Sequence, residues 1–315
     1  MKAPAELVDV VMYPVFQSTL PPLPASVPYC FDRAISLPKF GVIALCVKFV
    51  AVELPFAFNR FSDGELFMLQ NQPLVLAENY FITGDKSMGG HYPREEQKEF
   101  IPGTHKEQHK RLMKAFTFRK EGHYKGICSL DDVGVDTHKW LLDIHGPGDN
   151  EHLTFANVLI NSNYKRYVDE MLPLYKERDI IYVVNESADL TELPFKVKKD
   201  FRVGTNCIVN NIHTIDEVLE YMDKENAKDY LVLCSASALS NYIIHEGFKK
   251  FENNTYLDVG SNLNPYLGDK IQGWKVNRGY LTHYWLKSGS PYGDRVDYWH
   301  DDKNKPNQNT TPILA

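Results

Sequence analysis

This 315-residue sequence contains no C-x-x-C pair, no H-E-x-x-H motif and no long block of lysine and arginine, and each absence removes a class of function. Cys30, Cys46, Cys128, Cys207 and Cys234 stand far apart, so neither a zinc knuckle nor a dithiol redox motif is present. An odd cysteine count over this length suits a reducing compartment, and a cytoplasmic location is expected. The formal net charge of -6, with no cationic block, argues against a nucleic-acid partner, because phosphate binding needs clustered cations. The one long apolar stretch, residues 41–58, is broken by Lys48 and Glu53, each costing about 2.5 kcal/mol or more at a bilayer centre. It therefore reads as a buried helix ending near Glu53, and membrane association is not required. The basic start and apolar run of a signal peptide are also missing. His105 and His109, spaced i, i+4 on a charged helical stretch, are placed to share a metal, but an exposed polar face is the simpler reading.

What is present describes a globular chain, 43% hydrophobic and 24% charged, long enough for one large domain or two small ones. Pro21, Pro22, Pro24 and Pro28 mark residues 1–38 as an irregular arm, residues 39–300 form the body, and residues 301–315 read as a flexible polar tail. From residue 153 to about 260 the pattern alternates regularly. Apolar, β-rich runs at 179–184, 230–234 and 255–259 read as buried strands, and helical periodicity occupies 164–178, 215–226 and 238–251. Thr214, three residues before Glu217, has the spacing of a capping box. Strand–helix–strand repetition implies an α/β class, with a Rossmann-like parallel sheet covered by helices on both faces. Between about residues 71 and 153 only the charged helix at 105–116 stands out from a loop-rich region. His91, Asp131, Asp132 and Asp136 are the candidates there for a base or acceptor contacts.

Ligands of such sheets sit beyond the carboxyl ends of the strands. Those ends here carry Asn185, then Ser235-Ala236-Ser237, then Gly260-Ser261-Asn262. Ser235 and Ser237 can meet a phosphate at the start of a helix or serve as ordinary N-caps, and Asn161, before the 164–178 helix, allows the same two readings. A further pair lies on the turn Asp63-Gly64-Glu65, between a short strand at 56–60 and an apolar run at 66–69. Two carboxylates spaced i, i+2 around a glycine can aim at one point, because glycine tolerates the φ of a sharp turn. Two hard oxygen donors at one point suit Mg²⁺ or Mn²⁺, with water and diphosphate oxygens completing the shell.

The whole run Arg60-Phe61-Ser62-Asp63-Gly64-Glu65 resembles the D-x-E signature of the GT-D glycosyltransferases, first catalogued as a domain of unknown function. The resemblance implies the GT-D type of Rossmann-like fold, with Asp63 and Glu65 as catalytic, metal-holding residues. It places Arg60, Ser62, Gly64, Asn161, Ser235, Ser237, Asn262 and Asn264 toward the donor. The implied reaction is metal-dependent transfer of a sugar from a nucleoside diphosphate sugar, with UDP-sugars first in line, to a hydroxyl of a glycan or other acceptor. Where the family has a segment similar to Asp-Ile-Gly-His-Leu-Asp, this chain reads Asp258-Val259-Gly260-Ser261-Asn262-Leu263-Asn264. An amide can hold a hydroxyl or a metal but cannot act as a general base. Two alternatives accompany this reading. Residues 256–261 look like the first motif of S-adenosylmethionine methyltransferases, although here that motif would close an α/β domain instead of opening one. A GT-D-like body that binds a sugar nucleotide or glycan without turnover is the other.

Overall fold

The computed structural model describes residues 54–268, apart from 90, 91, 93, 129, 147–151, 157, 160–163, 165 and 166. The N-terminal arm, the apolar stretch up to residue 53, the tail at 301–315, Cys30, Cys46, His91 and Asn161 therefore lie outside the described residues. Along the chain, strand β1 (Ala57–Phe61) leads into helix α1 (Asp63–Leu69). Four short strands follow: β2 (Leu74–Leu76), β3 (Tyr80–Thr83), β4 (Lys86–Gly89) and β5 (Lys98–Phe100). Next come α2 (Lys106–Thr117), β6 (His123–Ile127), α3 (Leu130–His145), β7 (Leu153–Phe155), β8 (Ile180–Asn185) and β9 (Lys199–Val203). The described chain closes with α4 (Cys207–Asn210), α5 (Thr214–Lys224), β10 (Leu231–Cys234), α6 (Ala238–Lys250) and β11 (Thr255–Asp258).

Seven strands form one sheet in the order β7-β6-β1-β11-β10-β8-β9, and every pairing in it is parallel. The expected α/β class with a parallel sheet is thus what the chain adopts. Alternate residues of each strand enter separate cores, as the two-residue period of a strand requires. Ile181 and Val183 face a core shared with Val232, Leu239 and Phe116, whereas Ile180, Tyr182 and Val184 face one shared with Leu233, Leu257 and Tyr167. Burial on both faces explains why these strands read as unbroken apolar runs, each large aliphatic side chain contributing about 1.5–3 kcal/mol.

The two layers covering the sheet differ. Helices α1, α2, α5 and α6 supply the first core through Met68, Phe116, Val218 and Ile243. The other face is covered by the segment around Leu159, Tyr167 and Tyr175 and by Leu263–Leu267. The continuous helix expected at 164–178 is instead a π-helical turn at Tyr167–Met171 followed by a 3₁₀ segment at Leu172–Glu177. Pro173 accounts for the break, since it has no N–H for an α-helical bond and its ring crowds the preceding turn. The capping box expected at Thr214 does not form. His213 is the N-cap, and the turn before the helix satisfies the N–H groups of Thr214 and Ile215 through the carbonyls of Asn211 and Ile212.

The region expected to be loop-rich holds a four-stranded antiparallel sheet, β4-β3-β2-β5. Its strands are only three or four residues long, too short for a two-residue period to register in sequence. The β3–β4 hairpin turns on Gly84-Asp85, with Gly84 at φ 61 and the Asp85 carboxylate exposed to solvent. Asp131, Asp132 and Asp136 lie on α3, not in a loop, and that helix is kinked where Gly134 leaves helical geometry. His105 and His109 do not share a site. His105 is buried and its Nδ1 accepts the N–H of Ile101, while His109 Nε2 lies 3.2 Å from the carbonyl of Leu69.

Candidate functional site

Because β1, β11 and β10 are adjacent and parallel, the turns leaving their carboxyl ends open on the same edge of the sheet. These are the turns the sequence singled out. After β1, Ser62 is extended (φ -84, ψ -167) and starts α1, placing Asp63, Gly64 and Glu65 in the helix's first turn. The N–H of Ser62 donates to Glu65 Oε2 at 3.2 Å, the return half of a capping box. Asp63 is exposed, with Oδ1 accepting the N–H of Gly64 at 3.0 Å, whereas Glu65 is 8% exposed and faces inward. The Asp63 carboxylate thus lies on the exposed side of the turn and that of Glu65 on the buried side, as neighbouring positions i and i+2 of a helix do not face each other.

Gly64 does not use the conformational freedom expected of it, because its φ is not positive. A Cβ there would lie 3.4 Å from Lys98 Nζ, an ordinary contact distance, so the lysine lies directly beside the turn. The left-handed residues of this edge are Ser237 and Gly260.

Ser237 occupies the strand-to-helix turn between β10 and α6 at φ 48, ψ -145, a conformation costly for any residue with a side chain. It does not cap α6. Its hydroxyl instead donates to Glu65 Oε1 at 3.3 Å and accepts from Lys98 Nζ at 3.2 Å, joining residues 172 positions apart in sequence. Ser235, by contrast, is tied into the body by a 3.0 Å hydrogen bond to the Tyr182 hydroxyl, whose pKa burial raises. Cys207 approaches from the far side of Ser237, its Sγ donating to the Ala236 carbonyl, and burial pushes the thiol up to about 12 against the pull of Lys98.

Arg60 organises the rest of the edge. Its Nε donates to the Ala156 carbonyl at 2.6 Å, and its guanidinium packs over Gly260, where a Cβ would come within 1.9 Å of Nη1. Arg60 thus fixes the turn after β11 against the β7 side of the sheet. Beside it, Asp258 ends β11 as a buried carboxyl accepting the Gly260 N–H at 3.0 Å. Burial pushes its pKa up to about 7, with Arg60 opposing and Glu65 reinforcing. Asn59 and Asn241 lock α6 to β1, the Asn241 amide donating to Asn59 Oδ1 at 2.6 Å and to the Arg60 carbonyl at 2.5 Å.

Asn262 and Asn264 are almost fully buried. The Asn262 side-chain amide donates to the Leu159 carbonyl at 3.1 Å, and the Asn262 backbone carbonyl accepts the Tyr164 hydroxyl. Among the described residues no hydrogen bond links either asparagine to Glu65, Ser237 or Lys98, and Asn262 Oδ1 and Asn264 Nδ2 find no hydrogen-bond partner. The edge thus unites Asp63, Glu65 and Ser237, and adds Lys98, Asp258 and Arg60 around them. Lys98 left no sequence signal, because it comes from the short β5 strand. Asp258 left one, as the acidic end of an apolar strand.

The donor chemistry of the turn fits a hard divalent ion: among the described residues Asp63 Oδ2 has no partner on its exposed side chain, and Glu65 Oε1 is held only by a hydroxyl. No group of three or more histidine, cysteine or acidic side chains placed for a metal occurs among the described residues, so ligand oxygens and water would complete such a shell.

No protein-family model matches the chain, and no curated protein matches it. Among solved structures, the chain is similar to the highly conserved domain of unknown function 1792, described as having a distinct glycosyltransferase fold. The TM-score is 0.47 and the identity 13%, over 81% of this chain and 87% of that one. It is also similar to a structure described as a new glycosyltransferase of the same domain from Streptococcus sanguinis, with a TM-score of 0.45 and 11% identity, over 84% of this chain and 92% of that one. Likeness at this level leaves the chemistry to be read from the residues at the sheet edge.

Proposed function

We propose that this edge binds the diphosphate and sugar of a nucleoside diphosphate sugar, and that the protein is a glycosyltransferase moving that sugar to a hydroxyl of a glycan or other acceptor. One observation carries the reading. The acidic turn after β1 and the strained serine after β10 are held in direct contact by the Ser237–Glu65 hydrogen bond. Strain at a non-glycine residue persists only where its surroundings hold it there, and it concentrates at functional sites.

In this reading Asp63 and Glu65 are the residues that would hold Mn²⁺ or Mg²⁺, which when bound would draw charge from the departing diphosphate. The chain's own groups do the remaining work. Ser237 fixes the rotamer of Glu65, Arg60 holds the β11 turn rigid over Gly260, and the Asn59–Asn241 pair keeps α6 in register with β1. Asp258, with a pKa near neutrality, is a proton carrier at the floor of the edge. A UDP-sugar is the first donor to try.

A thermal-shift screen of nucleoside diphosphates and their sugars tests the reading, because a bound ligand stabilises the folded state by mass action. At least one should raise the melting temperature, and more in Mn²⁺ than in EDTA, since carboxylates and diphosphate repel without a bridging cation. Equal shifts in both would remove the metal from the reading. A clear shift with S-adenosylmethionine, and none with any sugar nucleotide, would favour the methyltransferase.

A further inference from the structure

We propose that Lys98 is a built-in cation for the donor's diphosphate, carried to the acidic turn by the small antiparallel sheet. The inference rests on the donor-site reading above and names a residue which that reading does not supply.

Lys98 is half-buried on β5, where its backbone pairs with Leu76. The residues on either side are clamped by one side chain's residue: Asn206 accepts the Glu99 N–H on Oδ1 at 3.0 Å and donates its own N–H to the Gln97 carbonyl at 3.2 Å. The backbone that carries the lysine is thus fixed from both neighbours, and Asn206 adopts a left-handed conformation (φ 54) to do it. The ammonium reaches the main sheet, donating to Ser237 Oγ at 3.2 Å and lying 3.4 Å from where a Cβ at Gly64 would stand.

An ammonium has three N–H donors and no acceptor. Among the described residues one donor is taken, by Ser237, and no carboxylate forms an ion pair with Lys98. Two donors are left beside the Ser237 hydroxyl, which itself donates to the Glu65 carboxylate. Water would serve these donors, but a diphosphate oxygen would be held more strongly through charge-assisted bonds. A counter-charge for Glu65 alone would account for the lysine being nearby. It would not account for contact through a serine hydroxyl rather than with the carboxylate itself, nor for the two-sided clamp on its backbone.

The test is calorimetric titration of the full chain with inorganic pyrophosphate in Mg²⁺ buffer, which needs no knowledge of the base or sugar. Wild type should bind, and Lys98→Met should bind roughly tenfold to a hundredfold more weakly with an unchanged circular dichroism spectrum. Lys98→Arg should stay within a few-fold of wild type, and Lys139→Met, which removes an exposed cation on α3, should bind as wild type does. Lys98→Gln gives the same readout should the methionine variant fail to fold. Pyrophosphate affinity unchanged in Lys98→Met or Lys98→Gln, with only the melting temperature lowered, would overturn the inference and leave the donor-site reading standing. Absence of binding to the wild type would overturn both.

Discussion

Single residues at the sheet edge show where stability has been given up for position. Ser237 sits at φ 48 with its hydroxyl on Glu65. Replacing it with glycine should raise stability by about 0.5–1 kcal/mol, because glycine adopts that conformation without strain. Donor turnover should fall at the same time, since Glu65 loses its partner. Urea melts and a donor-release assay on Ser237→Gly check the two halves separately, and a loss of stability would show that the strain is not there. Gly260 is the opposite case. Its φ of 50 and the Arg60 guanidinium leave no space for a methyl group, so Gly260→Ala should cost about 2 kcal/mol or more in the same melts. The acidic turn was legible in sequence because charge and turn chemistry are local. The lysine beside it was not, because Lys98 arrives from 34 residues further along the chain.

Elements follow the same division between local and distant causes. The buried parallel strands β8, β10 and β11 were legible because burial on both faces requires unbroken apolar runs. The helices α5 and α6 were legible from periodicity, within a residue or two at their ends. What escaped were the short strands β2–β5, then β6, α3 and β7, and the edge strand β9, whose residues mix exposed and buried positions without a clean period. Strand β6 depends on an element-level fit of this kind. A Cβ at Gly126 would lie 2.9 Å from the Ala156 Cα and 3.0 Å from the Phe155 carbonyl, which is backbone that cannot move aside cheaply. Gly126→Val should therefore pry β7 off the sheet edge. Hydrogen exchange should quicken at Leu153–Phe155 while β10 and β11 keep their protection. Uniform loss of protection, or none, would contradict the local fit.

At the scale of the molecule, buried ionisable groups make stability depend on pH in a direction that can be worked out. Burial, reinforced by Lys125, holds His123 well below the usual histidine range, and burial lowers His138 and His245 as well. Unfolded histidines, near pH 6.5, bind protons that the folded ones refuse, so these three contributions are present above about pH 6.5 and lost as pH falls. Asp258 runs the other way. Its pKa of about 7 against 3.8 means a contribution present at acid pH and lost as pH rises through neutrality. The three histidines should dominate below pH 6. His123 packs between Phe118 and Phe248, with neither ring nitrogen hydrogen-bonded to any of the described residues. Exchanging it for phenylalanine should therefore raise the urea midpoint more at pH 5 than at pH 8. An equal change at both pH values would mean that His123 does not titrate on unfolding.

A catalytic donor site at the carboxyl edge of the parallel sheet, as proposed, is measured most directly by release of nucleoside diphosphate from a panel of sugar nucleotides. Wild type should release it from at least one donor in Mn²⁺. Asp63→Asn and Glu65→Gln should each lower the rate roughly 100-fold or more, because the amides keep shape and capping but lose the charge. Asp85→Asn, on the exposed β3–β4 turn, should stay within a few-fold of normal. Folded acidic-turn variants that release the diphosphate at the wild-type rate, or a wild type that releases none from any donor, would contradict the account.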